Sequence, residues 1–417
     1  MKNLRMQQEM TDRGRLEIRV NTRIQARPVS GARVTVSYTG DPQNVIEELI
    51  TDGDGRTETL DLATPPLEYS LEPNVNQPYS EYTVKVEAEG YEPVEVTGSE
   101  LLSGEQSVQQ VDLKLAEGAA FADVTIPDHT LFGEYPAKIP ESEIKPTRES
   151  GEIVLSRVVI PEYIIVHDGA PTDSTARDYY VRYRDYIKNV ACSEIYATWP
   201  DAAIRANILA IMSFTLNRVY TEWYRNKGYD FTITSSTAYD HKWIYGRNIF
   251  DSISLVVDEI FADYLSRPNV KQPILTQYCD GNRVSCPNWM SQWGSKNWRT
   301  KGIQRFRFSA IIMETICIST RRRRFSGIPS SWPGYDLTIG SSGNKVLQIQ
   351  EQLNVIAEVY SSIPTVYENG YFDEETQDAV EAFQRLFGLP VSGIVDYPTW
   401  YKIQSIYVAV TRIAELQ

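Results

Sequence analysis

The chain has 417 residues, a net charge of −14 and 42% hydrophobic residues. That length exceeds what one core organises, so two to four domains are expected. The acidic balance argues against nucleic acid and against electrostatic docking on anionic lipid, and leaves room for a polymer held by hydrogen bonds and ring stacking.

No apolar run is long enough to span a bilayer, so no membrane insertion is expected. The opening MKNLRMQQEMTDRG, residues 1–14, lacks an apolar core and reads as a tail without a secretory signal. Residues 15–117 read as a β-sandwich. LEIRV (Leu16 to Val20), ARVTVSY (Ala32 to Tyr38), YTVKVEA (Tyr82 to Ala88) and VDLKL (Val111 to Leu115) alternate with period two, separated by turn clusters such as TDGDGRTE. The DGDG run reads as a tight turn, because the calcium-loop series is incomplete.

Residues 118–157, with IPDHT and YPAKIPESEIKPTRESGE, read as a Pro-rich charged linker open to proteolysis. Residues 158–333 form a central α+β domain. IPEYIIVHDG (Ile160 to Gly169) predicts a strand leading into a loop. Pro200 and Asp201 suit the start of a helix running from Ala202 to about Asn226. Ile204, Ile208, Ile211, Thr215 and Val219 share one apolar face of it. Ile249 to Leu265 predicts a second helix. Four Cys give no disulfide framework. Cys279 and Cys286 are placed to bridge or to share a metal, but without CxxC pairs or a nearby His free thiols are expected.

Residues 334–417 predict a C-terminal helical module. Val346, Ile349, Leu353, then Thr376, Val380 and Phe383, have helical spacing, and Asp373 with Thr376 fits an N-cap. NGYFDEETQDAVEAFQRLFGL followed by VSGIVDYPTW resembles the three-helix peptidoglycan-binding domain. Its loop groups near Tyr371, Asp373 and Tyr397 are the expected wall contacts.

VACSEIYATWPDAAIRANILAIMSF resembles the catalytic segment of the stage II sporulation protein D family, lytic transglycosylases acting on peptidoglycan. TSSTAYDHKWIYGR, YCDG, the Cys286-Pro287 pair and SQWGS follow in the family's order. With the flanking regions, the whole order resembles the SleC-type spore cortex-lytic proenzymes of clostridia. The chain departs from the pattern at His241, where Gln is usual, and at Asn288, where Gly is usual. The His/Cys zinc pattern of some members is missing, so neither metal nor cofactor is implied.

The resemblance implies a proenzyme acting on spore cortex peptidoglycan during germination, located in the cortex or coat region. It also implies activation by a subtilisin-like protease between about Lys145 and Val158, with Arg157–Val158 the favoured bond. It makes Glu194 the acid that protonates the glycosidic oxygen and then, as base, takes the C6 hydroxyl proton, leaving 1,6-anhydro-muramoyl ends. Such an acid needs a raised pKa. Asp240, Asp280 and Glu259 are competing acids. Ser235, Ser236, Tyr239, Asp240, Arg247, Tyr278, Asp280, Gln292 and Trp293 are the expected groove residues, with Arg247 meeting a lactyl or peptide carboxylate. His167 and His241 read as packed or surface residues. A hydrolysing glycosidase or amidase, or a non-catalytic wall-binding protein, is the alternative.

Asn297 to Phe325, NWRTKGIQRFRFSAIIMETICISTRRRRF, departs from the family pattern and is strongly basic in an acidic chain. Codons compatible with it, read one base out of phase, also allow LADQGYTAFQILRYYYGNNMYINEEEEI, which resembles the family segment. A pair of compensating frameshifts is therefore the preferred reading over a genuine basic surface patch.

Overall fold

The computed structural model describes residues 12–22, 28–116, 121–142, 158–161, 163–267, 270, 272–287, 289–297, 318–321, 325–326, 335–387, 389–396, 399–400, 402–404 and 406–407. Arg157, Cys317, Tyr397 and most of the basic 297–325 stretch lie outside these residues.

Alternating apolar residues build two N-terminal sheets. One orders β3 (Asp41–Ile50), β2 (Arg33–Tyr38), β5 (Ser80–Glu87), β6 (Val94–Leu101) and β8 (Ala122–Thr125). The other orders β7 (Gln106–Leu113), β1 (Asp12–Thr22) and β4 (Leu60–Thr64). Leu16, Ile18, Val20, Val34, Val36, Val84, Val86, Val96 and Val111 point between them into one core. β8 falls within the stretch read as linker; it pairs in parallel with β6.

Two short segments extend this picture toward the central helices. The dipeptide Ile249–Phe250, read as the start of a helix, is strand β13 and pairs antiparallel with β7 at Val108 and Ser107. Tyr79 and Leu102 pack into the same apolar cluster as the central helices. About 25 cal/mol is lost per Å² of apolar surface uncovered, so parting these regions costs stability.

In the central region β10 (Tyr163–His167) pairs with β11 (Asp178–Arg182) and β12 (Ile233–Thr234). The small helix Glu68–Leu71 is α1, Tyr183–Glu194 is α2, and Asp201–Tyr220 is α3. Pro200 stands at the N-cap of α3 and Asp201 in its first turn. The helix is buried nearly all round rather than on one face: Asn207, Ser213, Asn217 and Arg218 are covered together with Ile204, Ile208 and Ile211. The expected second helix is shorter, α4 at Asp251–Ile260. Its predicted last turn is instead β14, Asp263–Ser266, paired with Ile318–Arg321. Tyr264 and Leu265 there find strand partners in Thr320 and Ser319 that helical periodicity does not register.

At the C-terminal end, helices α6 (Asn344–Val359) and α7 (Glu374–Leu386) close over Val346, Ile349, Leu353, Val380 and Phe383, with α5 (Gln292–Asn297) preceding them in the chain. Residues 399–400, 402–404 and 406–407 are also helical. Asp373 caps α7 by accepting from the Thr376 amide at 2.9 Å. Among the described residues no helix is long and apolar enough to cross a membrane.

Candidate active site

Glu194 is the last residue of α2 and is 1% exposed. The loop after β12 folds back over it. Asn189, about one turn and a half earlier on α2, pins that loop: its Nδ2 donates to Ile244 O at 2.8 Å, and its Oδ1 accepts from Ile244 N at 3.0 Å. The pinned loop presents the Lys242 amide, which donates to Glu194 Oε1 at 2.6 Å. The Tyr278 hydroxyl donates to Oε2. Gln292 Nε2 donates to the Glu194 carbonyl at 3.1 Å. The carboxyl is thus fixed by its own helix, by one loop and by the YCDG strand.

Burial raises the Glu194 pKa, and it outweighs the opposing pull of the Lys138 ammonium, the Lys242 amide and the Tyr278 hydroxyl. A carboxyl so placed keeps its proton to higher pH than a solvated one and can hold the resulting charge on two aimed donors. His241 lies flat against Tyr278, with ring centres 5.9 Å apart, and its Nδ1 meets Tyr186 Oη at 2.9 Å. Burial, with Lys138 and Arg218 nearby, holds its pKa well below the usual range, so the imidazole is neutral. It is a packing group beside the acid rather than a base.

The competing acids are occupied. Asp240 accepts from Arg218 Nε at 2.7 Å, Tyr224 Oη at 2.7 Å, and the Thr234 amide and hydroxyl at 2.9 and 2.6 Å. Asp280 accepts from the Asn282, Arg283 and Val284 amides at 3.2, 3.0 and 2.9 Å. Both are turn anchors. Glu259 pairs with Arg205 on the surface. Ser235, Ser236 and Tyr239 lie half-buried on the turn that Asp240 anchors, where the Ser236 carbonyl accepts from the Tyr239 and Asp240 amides at 3.0 and 2.7 Å.

Two expected groove residues are engaged in other contacts in this structure. Arg247 is 3% exposed and makes a bidentate pair with Glu100 of β6, both contacts at 2.6 Å, while also donating to Cys192 O at 2.7 Å. It ties the central region to the N-terminal sheets. Gly246, at φ +78°, brings it there: a Cβ would meet Val124 at 2.5 Å. Trp293 is 5% exposed in an aromatic cluster with Tyr196 and Trp199, at 6.0 and 5.0 Å, so it packs the core rather than offering a sugar platform. The expected free thiols are likewise corrected, since Cys279 and Cys286 form a disulfide that closes the loop Asp280 anchors. Cys192 is free and buried.

Sequence reasoning missed Lys138. Its Nζ donates to Asp240 O at 2.6 Å and lies 4.4 Å from the Tyr278 ring centre and 4.9 Å from that of Phe214. Burial lowers its pKa to about 8, against the carboxylates of Glu194 and Asp240. Asn189 was missed too; its signal is an amide five residues before the acid on a buried helix face. Of the expected cleavage pair, Val158 is 5% exposed in the central core and Arg157 lies outside the described residues. In the C-terminal module Tyr371 is 51% exposed. Among the described residues no three His, Cys, Asp or Glu side chains are grouped to hold a metal.

Residues 342–403 match the family described as "Putative peptidoglycan binding domain". No curated protein matches the chain. Among solved structures, the SleB N-terminal domain is 29% identical over 18% of this chain and 93% of that chain, with a TM-score of 0.16. The Bacillus anthracis TIE protein is 18% identical over 25% of this chain and 17% of that chain, with a TM-score of 0.18. The minor pilin GBS52 of Streptococcus agalactiae is 12% identical over 29% and 50%, with a TM-score of 0.19. The chain thus carries a peptidoglycan-binding domain over residues 342–403, which supports peptidoglycan as a partner.

Proposed function

We propose that the chain is a SleC-type spore cortex-lytic proenzyme, a lytic transglycosylase that cuts peptidoglycan strands through Glu194. One observation carries the reading: a buried carboxyl with a raised pKa, held by two donors, while Asp240 and Asp280 are consumed as turn anchors. A hydrolase needs a second carboxylate for water or for nucleophilic attack. A lytic transglycosylase needs one. Glu194 gives its proton to the glycosidic oxygen as the C1–O bond breaks. It then takes the proton of the C6 hydroxyl as that oxygen bonds to C1, which regenerates the acid and leaves a 1,6-anhydro-muramoyl end. The Lys242 amide and the Tyr278 hydroxyl hold the carboxylate between the two transfers.

The peptidoglycan-binding domain supports the substrate class, and the resemblance at VACSEIYATWP supports the reaction. Proenzyme activation by a subtilisin-like protease and location in the spore belong to the same reading. With Glu194 1% exposed, a glycan cannot reach it until something moves, which suits a chain that awaits cleavage. Mass spectrometry of glycan products tests the reading: anhydro ends support it, and reducing ends from hydrolysis, or free stem peptide, refute it.

A further inference from the structure

Residues 129–141 look like tether in sequence, yet they pack beside Glu194. The Thr130 amide donates to Ser193 O at 3.2 Å. Arg283 gathers the carbonyls of Thr130, at 2.8 Å, Phe132, at 3.3 Å, and Gly133. The Tyr135 hydroxyl donates to Gln292 Oε1 at 3.0 Å, and Gln292 in turn holds the Glu194 carbonyl. The Ile139 amide donates to Ala238 O at 2.8 Å. Gln277 clamps the next turn, donating to Ile139 O at 3.0 Å and accepting from the Glu141 amide at 3.2 Å. The segment is bound as an extended ligand is bound, through its backbone and two charged ends.

The charged ends are informative. Lys138 sits over Tyr278 beside Glu194. Glu141 makes a bidentate pair with Arg218, at 3.0 Å to Nη1 and 2.6 Å to Nη2. Arg218 is fixed independently of Glu141. Its Nε is on Asp240 at 2.7 Å, Nη2 also donates to Tyr239 O at 3.2 Å, and its guanidinium lies 4.8 Å from the Phe214 ring and 5.4 Å from that of Tyr224. Those partners all belong to the central region; Glu141 alone comes from the tether. A guanidinium held this way presents a ready fork to a carboxylate.

We infer that Tyr135–Glu141 is an internal occupant of the glycan cleft, and that the Nη edge of Arg218, filled here by Glu141, is the receptor for a carboxylate carried by the muramic residue. This rests on the proposed glycan-cleaving role of Glu194. The carboxylate is either the lactyl group itself or the terminus of an attached peptide. When the segment leaves, the Tyr278 and Phe214 rings that Lys138 covers become a face for the pyranose ring, and the ammonium that draws the Glu194 pKa down leaves with it.

The test uses the full chain with Lys138→Met and Glu141→Gln combined, leaving Arg218 intact. Amide exchange at Ile139 and Glu141 reads release of the segment. Calorimetric titration then compares three probes: the N-acetylglucosaminyl-N-acetylmuramic acid disaccharide with a free lactyl carboxylate, the same disaccharide bearing L-alanine, and chitobiose. The unsubstituted chain sets the background of any binding at its C-terminal module and is expected to offer no site at the cleft. The doubly substituted chain is expected to exchange faster and to bind one acidic disaccharide at least about tenfold more tightly than chitobiose, the worth of a charged hydrogen-bonded pair. Which acidic probe wins identifies the carboxylate. Unchanged amide protection, equal binding of the three probes, or no binding by a released cleft overturns the inference. Acid-selective binding without glycan cleavage would leave the Arg218 subsite standing and remove the lytic reading; anhydro ends without acid selectivity would do the reverse.

Discussion

Replacing Arg247 by Met in the full chain tests whether this residue is a structural tie. The change leaves Glu100 fully buried with its guanidinium partner gone, and removes the donor to Cys192 O. Removing one member of a buried ion pair costs about 3–5 kcal/mol, because the other charge is left uncompensated. Glu100→Leu added to Arg247→Met removes that charge, and most of the loss should return. The dependence on pH has a definite sign. Burial pushes Glu100 up to about 7 from its ordinary 4.5, with Arg247 pulling it down. Without Arg247 the folded form prefers the proton still more. A carboxyl raised on folding is costless below 4.5 and increasingly costly as the pH rises through its folded value. The gap between parent and variant should therefore widen as the pH rises above about 7 and level off below it, where both folded forms hold the proton. Urea unfolding across that range measures it. A loss under about 1 kcal/mol at pH 8, in the range of a surface pair, would refute the structural role and return Arg247 to the list of ligand-facing groups.

Three further outcomes are expected. Tyr278→Phe removes a donor to the Glu194 carboxylate, worth about 1.5–3 kcal/mol for a charged acceptor. The acid then holds its proton at least about tenfold more tightly, so the alkaline limb of the activity profile moves up while turnover falls; a limb that stays put contradicts the contact. Asp373→Ala removes the cap on α7 and should lower the stability of the C-terminal module by about 0.5–2 kcal/mol. The Thr376 amide and hydroxyl hold the Asp373 pKa below its ordinary 3.8, so this stabilisation is present above 3.8 and fades as the pH falls through the lower folded value, which denaturation at two pH values checks. Peptide mass spectrometry across residues 297–325 should find the out-of-phase peptide rather than the RRRR run, and finding the residues as written would end the frameshift reading.

Local pattern reached some of this site and not the rest, for physical reasons. Glu194 ahead of a Pro-started helix, and Asp373 three residues before Thr376, are signals carried by neighbours in sequence. The Arg247–Glu100 tie spans 147 positions and the Arg218–Glu141 pair 77, and no periodicity encodes either. The tether composition around Lys138 announces Pro and charge, which reads as solvated chain; its burial depends on a cleft assembled from Phe214, Asp240 and Tyr278. The Cys279–Cys286 bridge depends on the turn that Asp280 gathers, not on cysteine spacing. Trp293 shows the converse error: an aromatic residue in a motif resembling a sugar-binding set is committed to packing against Trp199.

The central claim is the lytic chemistry of Glu194, and the most direct measurement is mass spectrometry of purified cortex glycan digested by the protein cleaved between Lys145 and Val158, beside its Glu194→Gln variant. The account predicts 1,6-anhydro-muramoyl ends from the parent and none from the variant, with both proteins equally folded and equally bound to the glycan. Reducing ends from the parent, or anhydro ends that persist in the variant, would contradict it.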